Sequence, residues 1–180
     1  MELLRQLLLK ARTLIGSFGS SSPDRKRRLA IRGRPTLSPV DFQATDRLFR
    51  GFSLADLDDH GEIDVASFEP RDLSCNWERF SVTSDVLHRP NGRETDGCYS
   101  LSVETARYRE LATPCHDPIN SPPLENYSHV EIRWLNSGES VASHPPHGRT
   151  PSRSKTAKAA RLNWRTNAVR QIRIEFEATA

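Results

Sequence analysis

The amino-acid sequence predicts an α+β fold: a small, mostly antiparallel sheet with short helices, plus a separate amphipathic helix at the N-terminus. Three observations predict it. Residues 129–134 and 171–177 alternate apolar and charged side chains with the period of a strand. Turn residues break the chain between about 45 and 135 into short runs. Residues 2–18 repeat their apolar side chains with the period of a helix. At 180 residues the chain has room for one ordinary domain and a tail or two. With 36% hydrophobic and 27% charged residues it is lean for a compact globule but too apolar for full disorder.

At about 100° per residue, Leu3, Leu4, Leu7, Leu8, Ala11, Leu14, Ile15 and Phe18 fall in one arc, opposite Glu2, Arg5, Gln6, Lys10, Arg12 and Thr13. Only Leu9 breaks the pattern. Gly16 and Gly19 stop this helix, and the following Ser/Gly stretch with the run Arg25, Lys26, Arg27 and Arg28 reads as a flexible basic linker. A helix this short needs a surface to dock on. Its own core, a partner protein and an anionic membrane surface are the candidates, and an organelle transit segment has a similar composition. Docking on protein is favoured, with Leu3, Leu4, Leu7, Leu8, Leu14, Ile15 and Phe18 as the partner-binding set. No stretch is apolar enough to span a membrane, and no secretory signal is evident, so a cytoplasmic protein is expected. The expected organisation is a docking helix over 1–18, a linker over 19–44 and an α+β domain over 45–180.

Within that domain, residues 48–52 read as a strand, Ser53 as the cap of a short turn through Leu57, and 62–68 as a second strand. Ser84 caps a turn through Leu87. Tyr99, Leu101 and Val103 alternate as a strand leading into a helix over 104–111. Pro114, Pro118, Pro122 and Pro123 predict a loop. The strand at 129–134 places Val130, Ile132 and Trp134 inward and His129, Glu131 and Arg133 toward solvent. The last strand returns to the same sheet with Ile172, Ile174 and Phe176 inward, leaving 137–168 as an excursion from the domain.

The order Phe68-Glu69-Pro70-Arg71, Leu73-Ser74-Cys75-Asn76-Trp77, Ser102 to Arg107, His116-Asp117-Pro118 and Glu125 to Ile132 resembles a family of small uncharacterised bacterial proteins. The likeness covers about residues 46–133. It implies a bacterial cytoplasmic setting and a shared central module, and it carries no activity and no catalytic residue. The N-terminal helix and the tail fall outside it.

Cys75, Cys98 and Cys115 are isolated from one another, so separate reduced thiols are expected rather than a zinc set completed by His116. No metal and no cofactor is called for. His129, beside Asn126 and Glu131 and directly after the Pro-rich loop, is the histidine best placed for chemistry. One enzymatic alternative stands: Arg50 in Phe-Arg-Gly, Ser67 and the final Glu175 and Glu177 have the order in which ADP-ribosyltransferases present an arginine, a serine and a Glu-x-Glu. The arginine would hold NAD phosphates and the acid would stabilise an oxocarbenium. The Ser-Thr-Ser element of those enzymes is missing here.

The net charge of +3 conceals +7 over residues 1–35, −9 over 36–130 and +5 over 131–180. Every charge from Arg149 to Arg173 is positive. Arg149, Arg153, Lys155, Lys158, Arg161 and Arg165, with Trp164 to stack, suit a phosphate backbone and carry no base-reading signature. An acidic protein surface and a solvated loop are the competing readings. The expected function is a non-enzymatic accessory or adaptor subunit of a bacterial assembly. It would hold a protein partner by its N-terminal helix and approach nucleic acid by the basic segment, with a membrane surface as the lesser alternative.

Overall fold

The computed structural model describes residues 23–66, 68, 73–87, 95–121 and 125–177, and of Pro23, Phe176 and Glu177 the backbone alone. The helix expected over 2–18, with its partner-binding leucines, lies outside the described residues. Six strands form one sheet: β1 (Arg47–Phe52), β2 (Leu73–Trp77), β3 (Gly97–Ser102), β4 (Ala112–His116), β5 (His129–Trp134) and β6 (Arg173–Glu177). Their order is β4-β5-β2-β1-β3-β6, and every neighbouring pair is antiparallel. The α+β expectation therefore stands for the domain.

Register puts Leu48 opposite both Trp77 and Leu101, and sets Cys75 against Val130 and Leu73 against Ile132. Because side chains alternate along a strand, these residues share one face, which is the core face. Helix α4 (Lys155–Gln171) packs on that face through Trp164 and Ala168, both fully buried. The Trp164 ring lies 5.1 Å from Trp134 and 5.8 Å from Phe68, and its Nε1 donates to the Ala106 carbonyl at 2.9 Å. Burying a Trp of roughly 200 Å² at about 25 cal/mol per Å² contributes about 5 kcal/mol. Such a contribution makes α4 part of the core. The expected excursion over 137–168 is thereby corrected, and so is Trp164 as a base-stacking residue, because no face of its ring reaches solvent.

The opposite face of the sheet is also covered. Above Gly51, Val86 of α2 (Ser84–Leu87) and Thr95 approach so closely that a Cβ at Gly51 would lie 2.5 Å from the Thr95 methyl. Over β4 and β5 the covering segment is the 137–150 loop, where Thr113 Oγ1 donates to the Val141 carbonyl at 2.6 Å. His129, Glu131 and Arg133 are accordingly 8%, 5% and 4% exposed, which corrects their expected solvent-facing placement.

The basic run expected as a linker is helical and anchored. In α1 (Pro23–Leu29), Arg28 Nη2 donates to Asp85 at 2.9 Å. The Tyr127 amide and hydroxyl reach the Leu29 and Pro35 carbonyls, both at 2.8 Å. His116 Nδ1 accepts from the Leu37 amide at 2.9 Å, so the ring carries its proton on Nε2, 2.6 Å from the Tyr127 carbonyl. Burial lowers the His116 pKa and keeps that imidazole neutral.

Other elements shift from expectation. Residues 62–66 form a turn with a single bridge, Leu57 to Ile63, in place of a strand. The helix expected over 104–111 stops after α3 (Val103–Ala106), where Arg109 and Glu110 take positive φ of 54° and 53°. Pro114 lies inside β4, tolerated because β4 is an edge strand and a residue without an amide fits there. On β6, Ile174 is 39% exposed rather than inward.

Candidate nucleic-acid interface

Ser154 caps α4, its side chain accepting from the Ala157 amide at 3.2 Å. With Trp164 and Ala168 turned inward, the wheel of a 3.6-residue helix turns Lys155, Ala159, Leu162, Asn163 and Arg170 outward, and all five are exposed. Leu162, at 52%, is the exposed large apolar residue of the helix. The 17 residues of α4 carry Lys155, Lys158, Arg161, Arg165 and Arg170 and no carboxylate. Lys155 and Lys158 sit in or beside the first turn, where the helix dipole disfavours cations. The helix itself gains nothing from charges of that sign in that place.

The structure divides the expected interface residues. Arg153, Lys155 and Lys158 are exposed and form no ion pair among the described residues. Arg149 is half-buried and bound to Glu139, whose carboxyl is held below its ordinary range by that arginine and by the Asn136 amide. Arg161 donates to the Ser152 carbonyl at 2.7 Å with its guanidinium 6.0 Å from the Trp134 ring, so it braces the turn before the helix. Arg165 is half-buried, and Trp164 is in the core. Arg170, absent from the expected set, joins the outward side. At 100° per residue it lies 60° from Lys155, a phase the sequence already held.

A second group of charges occupies the covered corner of β5. Arg133 donates from Nε and Nη2 to Glu131 at 2.9 and 2.7 Å, from Nη2 to Asp117, and from Nη1 to the Pro145 carbonyl at 2.9 Å. His147 Nδ1 lies 2.8 Å from Glu131, and His129 Nδ1 lies 2.6 Å from the Asp117 carbonyl. Burial opposes ionisation of Glu131, but the hydrogen bonds from His147 and Arg133 outweigh it and hold the carboxyl below its ordinary range. Burial likewise lowers the Arg133 pKa, and the hydrogen bond to Glu131 reverses this to a net rise. Asp117, Glu131 and His147 bring one donor atom each within 4.8 Å, the one such metal-capable group among the described residues. The Arg133 guanidinium already bridges the two carboxylates, so both acids have a cationic partner within the protein itself.

The remaining candidates are not brought together. Cys75 faces the core while Cys115, two residues from Thr113 on β4, faces the covered side. Burial pushes the Cys75 and Cys98 thiols up to about 12, which leaves them unreactive. Arg50 pairs with Tyr99 and so shares its face, and its Nη1 donates to the Ser74 carbonyl at 2.8 Å. Glu175 is on the other side of the sheet, accepting from Ser100 Oγ at 2.5 Å and from Arg47 at 3.1 Å. No protein-family model, curated protein or solved structure matches the chain.

Proposed function

We propose that this protein is a non-enzymatic accessory subunit of a bacterial assembly that contacts a nucleic-acid backbone through the outward side of α4. The observation that carries the reading is a 17-residue helix, fixed to the core by Trp164, with five cations and no carboxylate. Of these, Lys155 and Lys158 form no ion pair among the described residues, and exposed cations release phosphate counterions on contact, the main source of sequence-independent affinity. Residues 1–18 supply the attachment to a protein partner, and the setting is cytoplasmic. No helix among the described residues is long and apolar enough to cross a membrane.

The test is fluorescence anisotropy of labelled nucleic acid with the full chain across a salt series. The expected result is affinity that falls linearly in log–log form with salt and weakens when Lys155 and Lys158 are changed to Glu. Binding that ignores salt, or no binding at low ionic strength, overturns the reading. For the partner, removal of residues 1–22 is the proper truncation, because Leu29, Pro35 and Leu37 are tied to Tyr127 and His116. That truncation is expected to abolish co-purification of a bacterial partner while the domain stays folded; a partner retained by the truncated chain rules out attachment through 1–18.

A further inference from the structure

We infer that the nucleic acid held by α4 is double-stranded, an inference that rests on the reading of α4 as a backbone interface and specifies its ligand. Proteins that hold single strands combine cations with aromatic platforms on which unpaired bases stack, and each stacked base contributes about 1–3 kcal/mol. Between Arg149 and Arg173 the sequence has one aromatic residue, Trp164. It is unavailable, with no exposed surface, its indole N–H bound to Ala106 and its ring packed between Trp134 and Phe68. The residues among the outward cations are Ala159, Leu162, Asn163 and Thr166, none of which offers a π face.

The charges are also laid out for a stiff ligand. At 1.5 Å per residue, Lys155 and Arg170 are about 22 Å apart along a helix whose position the core fixes. A duplex carries a charge every ~1.7 Å of its axis, and its phosphates are already held on a stiff frame. A single strand would have to be ordered across these spaced charges without any stacking to offset the lost entropy. Phosphate contacts alone then favour the duplex, and they carry no sequence preference.

The full chain is titrated against labelled duplex DNA, duplex RNA and the corresponding single strands, each of about 20 nucleotides per strand, from low to moderate salt. Engagement of Arg153, Lys155, Lys158 and Arg170 predicts a log–log salt slope of about −3.6 on duplex DNA and duplex affinity about tenfold or more above the single strand. The two duplex arms identify which double helix is preferred. Leu162→Trp, which installs an aromatic face between the cations, is expected to strengthen single-strand binding and narrow the gap. Single strands that bind the native chain as tightly as duplexes overturn this inference and leave the backbone reading in place. Failure to bind any of the four removes both.

Discussion

The corner where the 137–150 loop crosses β5 and the outward side of α4 hold the same kinds of cation under opposite conditions. Arg133 is buried with Glu131 and pairs with the half-exposed Asp117, and its hydrogen bonds also fasten Pro145 of the covering loop. Lys155, Lys158 and Arg153 stand in solvent and form no ion pair among the described residues. A buried charge has to be matched where it lies, since its uncompensated transfer from water costs several kcal/mol. An exposed one costs the fold almost nothing and remains available to an external anion. The first group is part of how the chain folds, whereas the second is charge the fold does not use.

That contrast breaks most severely at the residue joining α4 to the core. Trp164→Ala removes packing against Trp134 and Phe68 and orphans the Ala106 carbonyl, so a loss of about 3–5 kcal/mol is expected in urea unfolding. Arg133→Leu leaves Glu131 and Asp117 facing each other and is expected to cost about 3 kcal/mol, whereas a change near zero would mean that the corner is not a matched network. Acid provides a milder test. His116 is held neutral, with a folded pKa below the ordinary 6.5, so stability is expected to hold above that value and to fall as pH drops beneath it. Glu131, depressed below 4.5, adds a further loss only at lower pH. A melting temperature that stays flat from pH 7.5 to 5 would contradict the His116 assignment. The smallest effect on stability belongs to Lys155→Ala with Lys158→Ala, within about 0.5 kcal/mol. The same pair is expected to make the salt dependence of duplex binding shallower by about 2.

The strands were legible where one strand's own pattern suffices: β1 and β5 fall on the runs read as strands, and β3 does so up to Ser102, with Val103 opening α3 instead. The covered side of β5 was not legible, because the partners that let Glu131 and Arg133 be buried arrive from Asp117 and His147, each 16 residues distant. Alternating charge on a strand reads as a wet face unless those partners are known. Arg25 to Arg28 read as a linker for the same reason, since the carboxylate that fixes Arg28 is 57 residues away. On α4 the cations were visible and their backing was not. Trp164 stands among small and polar neighbours, and only its spacing of four from Ala168 hinted at an inward stripe. Of the interface residues named from sequence, Arg153, Lys155 and Lys158 stay outward with no ion pair among the described residues, and Arg170 joins them where the tryptophan does not.

Pro114 has a consequence for how copies of this chain meet. The end strands of a sheet invite pairing with another chain, and they do so through a continuous row of donors and acceptors. At the centre of β4 that row lacks a donor, and the strand is buried along its whole length. Edge-to-edge pairing with a second chain is therefore blunted at the β4 end of the sheet, by a residue whose ring stands where the missing donor would be.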